Sequence, residues 1–197
     1  MIEGLTFDEA THTYRFLGKI VPGVTTALQV LGAYKGIPKH ILDNAAARGT
    51  AVHRATELYD AGTLDYSTLD DELYPYLTAW EQFLHDKKPE ILEVETPVYH
   101  PKFGYAGTLD RGLILDGERG ILDIKSCVEM QRGTGPQVAA YLAAKNEYIT
   151  DKKLRYKKRW GLQLKSDGKY ELFDYEDAGD LNVFLSCLTV YKFLLRQ

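Results

Sequence analysis

Residues 107 to 126, GTLDRGLILDGERGILDIKS, constrain this chain more than any other stretch. Asp116-Gly117 lies between two apolar runs, and that dipeptide is the strongest short-range signal for an antiparallel hairpin. A turn at 116–119 sets Asp110 across from Asp123–Lys125. The period-2 alternation of a strand then sends Asp123 and Lys125 to one face, and Leu122 and Ile124 to the other. By the same alternation Arg111 shares a face with Leu109 and Leu113, as a partner in the sheet or a substrate contact. Two carboxylates and an ammonium thereby meet on a surface otherwise made of Ile and Leu, where charges need an opposite charge or a metal. Two arrangements meet that need. One is a cross-strand salt-bridge cluster; the other is a pair of acids sharing a divalent cation, with Lys125 stabilising or activating a reacting oxygen. Oxygen ligands of this kind suit Mg²⁺ or Mn²⁺, and a cation beside Lys125 would depress its pKa.

The segments around this hairpin set the fold class. LTFDEATHTYRFLGKIVPGVTTAL alternates around short turns and predicts a hairpin leading into a helix. Pro38 to about Gly62 carries a helical pattern, with Pro at its start and Gly at its end, and a second helix covers Asp70 to His85. Strands follow at about 91–99, 105–115 and 120–126, and Gly135-Pro136 opens a helix to about Asn146. A hairpin turns at Asp167-Gly168, and DAGDLNVFLSCLTVYKFLL closes as an amphipathic helix. Strands gathered mid-chain with helices before and after imply a central mixed β-sheet flanked by helices, of α/β or α+β class. A chain of 197 residues fits one domain, 1–197.

Composition removes several alternatives. Only two cysteines, Cys127 and Cys187, are present, too few for a four-ligand zinc or iron–sulfur site. The chain contains no run of about 18 apolar residues, so no membrane is expected, and its start lacks the pattern of a secretory signal, which predicts a cytoplasmic setting. A net charge of −4 means that any polyanion must be met by local rather than overall positive charge. G-x-S-x-G, H-E-x-x-H and phosphate-loop patterns are absent, as is an ATPase segment, so a helicase partner would be a separate chain.

Other residues fit the cation alternative. His53 and Glu57 are four apart on one helical face, spacing that suits a metal ligand with a carboxylate orienting it, or a purely structural pair. Gln137 and Tyr141 share a face of the helix after the Lys125 strand. Glu95, on the strand before Asp110, is an outer ligand or a surface acid. In DKKLRYKKRW, the cations Lys152, Lys153, Arg155, Lys157, Lys158 and Arg159 interleave with Tyr156 and Trp160. That segment is either a solvated basic strand edge or a DNA contact in which cations meet phosphates and rings stack on unpaired bases.

The order RGTAVHRATE, ETPVYHPKFGYAGTLDRG, GILDIKS, GPQVAAYLAA resembles the RecB-type branch of the PD-(D/E)XK nuclease superfamily over about residues 45 to 145. VPGVTTAL adds a likeness to phage exonucleases and mitochondrial genome maintenance exonucleases. Its motif positions are matched by His53, by Asp110 within G-x-x-D, by Asp123 and Lys125, and by Gln137 and Tyr141. The resemblance implies a restriction-endonuclease-like core and an exonuclease of DNA recombination, repair or replication using Mg²⁺ or Mn²⁺. It implies cation binding by His53, Asp110, Asp123 and the Ile124 carbonyl, with Lys125 positioning or deprotonating a water. The four-cysteine iron–sulfur branches are excluded. Implied partners are a DNA strand or end and a separate single-strand-binding, annealing or helicase protein; the alternative is a catalytically silent DNA-binding or assembly module of the same fold.

Overall fold

The computed structural model describes residues 2–32 and 36–196. A small antiparallel sheet comes first, β1 (Leu5–Asp8), β2 (Thr13–Phe16) and β3 (Lys19–Val21), in that spatial order. The sequence suggested one hairpin here. The third strand arises from a second two-residue turn, Leu17-Gly18, with φ of 49° and 77°. A bulky residue in the left-handed region is not a turn signal, so the turn was hidden.

Helices α1 (Val24–Leu28), α2 (Lys39–Asp60) and α3 (Tyr74–Lys87) follow. Pro38 stands at the N-cap of α2, and Gly62 turns left-handed, φ 66°, just past its end, as Pro and Gly at these places predict. The N-terminal part of α2, residues 39–50, buries no side chain; its first buried residue is Val52. α3 starts later than expected because Asp70 caps a separate 3₁₀ turn, Asp71–Leu73, by accepting from the Glu72 N–H.

The central sheet is mixed. Its strands are β4 (Glu90–His100), β5 (Tyr105–Leu115), β6 (Glu118–Lys125), β7 (Lys158–Leu164) and β8 (Tyr170–Asp174), adjacent in that order, with only the β6–β7 pair parallel. α4 (Thr134–Asn146) makes the crossover between the parallel strands, and α5 (Asp180–Leu194) packs against it. The architecture is α/β. The β5–β6 turn is tighter than the 116–119 expected: Asp116 and Gly117, at φ 52° and 79°, make it alone, so β6 begins at Glu118.

Two cores sandwich this sheet. Leu113, Leu115, Leu122, Ile124, Trp160 and Leu162 pack with Val52 of α2 and with Leu77, Trp80 and Phe83 of α3. Val98, Tyr105, Leu109 and Ile121 pack with Val24 of α1, Ala140 and Tyr141 of α4, and Phe184 and Leu188 of α5. Burial of each large apolar side chain contributes about 1.5–3 kcal/mol, which clamps β5 and β6 between helices on both sides.

Alternation along β5 breaks at Asp110. Gly107 and Leu109 lie with the α4 cluster, whereas Arg111 and Leu113 lie toward α2 and α3. The expected common face of Arg111 with Leu109 is therefore wrong. The ladder explains it: β5–β6 pairing ends at Arg111↔Leu122, and on the other side Glu95 of β4 leaves its ladder between the pairs Val94↔Arg111 and Thr96↔Leu109, at φ 42°. One step of irregular backbone reverses the facing of every later side chain.

Candidate metal centre

Where the β5–β6 ladder stops, the strands fork, and the acids sit in the fork. The carboxylate of Asp110 takes over the vacated pairing: its Oδ2 accepts the Ile124 N–H at 2.6 Å. That bond leaves the Ile124 carbonyl facing α2, where His53 Nε2–H donates to it at 3.0 Å. The other ring nitrogen, Nδ1, lies 3.3 Å from Glu95 Oε1 and 3.6 Å from Asp110 Oδ1. On the facing strand, Lys125 Nζ stands 2.6 Å from Asp123 Oδ2, while Asp123 Oδ1 is buried with no hydrogen-bond partner. His53, Glu95, Asp110 and the Ile124 carbonyl thus converge, the contacts of His53 lying 42 to 71 positions along the chain, with the Asp123–Lys125 pair on the same strand as Ile124.

Burial and charge set the protonation of the cluster. Burial pushes the Asp123 carboxyl up to about 6, against the pull of Lys125 and with help from Asp110. Asp110 is raised as well, chiefly by burial, with His53 opposing. Burial works against a charged His53, yet Asp110 and Glu95 overcome it and hold the imidazole up to about 9. Lys125 behaves in the same way: burial lowers it, and Asp123 and Asp110 outweigh burial and raise it. The depressed lysine expected beside a cation is therefore not a property of the chain alone.

The donor set fits a hard divalent cation. His53, Glu95 and Asp110 each bring a ligand atom within 4.8 Å of the others. The Nδ1 edge of His53 is the one that faces these two acids, while Nε2–H is engaged with the Ile124 carbonyl. The buried, unpartnered Oδ1 of Asp123 is the kind of orphan that a ligand explains. Neither any protein-family model nor any curated protein matches the chain.

Around this group lie a hydroxyl wall and a buried cation. Gln137 Nε2 donates to Tyr141 OH at 3.2 Å, and both side chains are buried. Burial first, then Asp123 and Asp110, push the Tyr141 phenol far up. A Cβ on Gly107 would meet the Tyr141 ring at 2.5 Å, which gives the glycine of GTLD a steric reason. Tyr14 of β2 shares a 2.9 Å hydrogen bond with Thr108 Oγ1, and its phenol is raised to about 12, mainly by burial, with Glu95 and Asp110 adding. Neither residue was singled out from the sequence: the position of Thr108 two residues before Asp110 on one strand is a signal that could have found it, and nothing in the sequence points to Tyr14.

Arg111, fully buried, makes no contact with any open surface. Its Nε donates to Asp60 Oδ2 at 2.7 Å, Nη1 to the Asp110 carbonyl at 2.7 Å and to Glu95 Oε1 at 3.3 Å, and Nη2 to Thr56 Oγ1 at 3.1 Å. It is a structural partner and not a DNA contact, which corrects that assignment. Asp60 also accepts from Trp80 Nε1 at 2.9 Å, and burial raises its carboxyl despite Arg111. Thr56 and Asp60 follow His53 at helical spacing, a signal that could have found them.

Two further assignments change. Glu57 does not orient His53; it turns outward and pairs with Arg54 at 2.6 Å, while Glu95 takes the place beside the imidazole. In the basic segment, Tyr156 and Trp160 are buried, with Trp160 Nε1 donating to Asp174 at 2.8 Å, so neither ring can stack on a base. Lys158 pairs with Glu176 and Arg159 with Asp180. Lys152, Lys153, Arg155 and Lys157 are exposed and outside any ion pair among the described residues. The segment also enters the sheet at the wrong end: Lys158 pairs with Gly120 and Gln163 with Lys125, five residues apart, or roughly 17 Å.

Proposed function

We propose that this chain is a Mg²⁺- or Mn²⁺-dependent deoxyribonuclease, with a restriction-endonuclease-like core of the RecB type. The observation that carries the proposal is the fork, where two acids from paired strands, a lysine two residues beyond the second acid, an imidazole and a main-chain carbonyl face one small volume. A salt-bridge cluster accounts for Lys125 with Asp123 but leaves Asp123 Oδ1 buried and unpartnered. Asp110, Asp123, Glu95, His53 and the Ile124 carbonyl would hold the cation. When bound, it would neutralise charge on a phosphodiester and acidify a water.

The chain's own groups supply the rest. Lys125 is tethered by Asp123 at 2.6 Å and placed to hold or deprotonate the attacking water. Tyr141 and Gln137, linked at 3.2 Å, offer neutral donors to the phosphate from the α4 side. The apolar packing of β5 and β6 on both faces keeps these groups from rearranging. An exonuclease serving DNA recombination, repair or replication in a cytoplasmic setting, with any helicase or single-strand-binding partner on another chain, belongs to the same proposal. Among the described residues no helix is long and apolar enough to cross a membrane.

Linear and circular DNA, single- and double-stranded, incubated with Mg²⁺, with Ca²⁺ and with chelator, test it. Cleavage of linear DNA with Mg²⁺, binding without cleavage in Ca²⁺, and silence in chelator are expected; full activity in excess chelator overturns the proposal.

A further inference from the structure

Two carboxylates stand against one buried arginine, and only one of them is needed to neutralise it. Arg111 is wholly buried, so its charge must be met by protein groups. Asp60 meets it at 2.7 Å, a short charge-assisted bond, whereas Glu95 is reached at 3.3 Å by one edge of the guanidinium. The same Glu95 oxygen lies 3.3 Å from His53. Glu95 itself is held at φ 42°, a left-handed conformation that a non-glycine residue keeps only where its surroundings fix it.

We infer that Asp60 is a positioning residue for the metal centre: by neutralising Arg111 from behind, it leaves the charge of Glu95 free to bind a cation. The inference rests on the metal-centre reading above. Arg111 ties the parts together. Its Nη2 reaches Thr56, whose hydroxyl donates to the His53 carbonyl at 2.9 Å, and its Nη1 reaches the Asp110 carbonyl at 2.7 Å. One guanidinium therefore sets the placement of α2 and β5 and the aim of Glu95. Trp80 fixes the far side: its indole N–H donates to Asp60 Oδ1, and its ring lies 5.2 Å from the guanidinium carbon. In an Asp60→Asn chain Glu95 is the one side-chain carboxylate left on Arg111 among the described residues, so it becomes the counter-ion and is lost as a ligand.

A double-mutant cycle on the full chain tests this, with Mn²⁺ alone as the probe and calorimetry as the readout. Asp60→Asn should weaken Mn²⁺ binding by about 10- to 100-fold, the range for groups that orient metal ligands. In a Glu95→Gln background the same change should have almost no further effect. An Asp60 that merely supports the fold would lower affinity equally in both backgrounds, and that result overturns the inference. So does unchanged affinity in Asp60→Asn. Absence of Mn²⁺ binding by the unaltered chain overturns the metal reading itself. Should Asp60→Asn fail to fold, Trp80→Phe decides. It keeps every charge and removes the N–H that aims Asp60 together with part of the buried ring, so a loss under about tenfold is expected, and its confinement to chains that retain Glu95 separates the lost aim from the lost packing.

Discussion

Lys125 and Asp123 are neighbours with different tasks, and substitution should separate them. Lys125→Ala leaves the acids in place, so it should keep Mn²⁺ affinity and cut DNA at least about a hundredfold more slowly, the scale for losing a positioned acid–base group. Asp123→Asn removes a charged oxygen and should weaken Mn²⁺ binding itself. Calorimetry paired with single-turnover cleavage checks both; near wild-type cleavage by both variants would place the active site elsewhere. A second expectation concerns pH. In the metal-free chain His53 is held up to about 9, so at neutral pH its ring is protonated and the cation must displace that proton. Affinity should therefore rise about tenfold per pH unit from 6 to 9 and then level. Below about 6, where Asp123 also takes up a proton, the slope should approach two decades per unit. Titrations in buffers of different ionisation heat count the released protons, and a flat profile between pH 7 and 8.5 refutes the assignment. Asp110, Asp123, Lys125 and His53 were legible because each sits in a short-range pattern, a hairpin register or a helical repeat. Arg111 was not, since its partner Asp60 lies 51 residues away and no local period links them. Glu95 stayed undecided because its placement depends on a left-handed backbone at one strand position.

At the scale of elements, the β5–β6 hairpin and α4 were read nearly to the residue, because Asp-Gly and Gly-Pro act through the backbone alone. The basic segment leading into β7 was misread: β7 lies inside the sheet, paired with β6 and β8, and Tyr156 and Trp160 pack into the two cores on opposite sides of it. Separation of that segment from Lys125 by roughly 17 Å, about five nucleotides of one strand, has a measurable result. Lys152→Ala, Lys153→Ala and Lys157→Ala together should weaken binding of long DNA and flatten its salt dependence by about 0.7–0.9 for each phosphate that is no longer neutralised. Cleavage of a three-nucleotide substrate should be unchanged. Equal salt slopes for the variant and the parent would remove this segment from the DNA path. Arg159→Ala belongs to another class. It breaks a partly buried ion pair with Asp180 at 2.8 Å and should lower stability without altering the salt slope.

Across the whole molecule, stability is unevenly placed. The sheet and the helices packed on it hold every large fully buried side chain among the described residues, Trp80, Phe83, Tyr105 and Phe184 included. Residues 39–50 of α2 contribute none. A helical stretch of that length is marginal on its own in water, so amide exchange should be fast there and slow from Val52 onward, with the boundary inside one continuous helix. Uniform protection along α2 would contradict this. Arg48 marks the boundary, reaching the Ser126 carbonyl at 3.4 Å, one residue past Lys125. One helix therefore has two regimes of mutational tolerance. Proline or glycine should be accepted in its outer turns with little loss of melting temperature and should be ruinous from Val52 to Asp60. The approach to the acids can then diversify by substitution while the acids themselves stay where the core holds them.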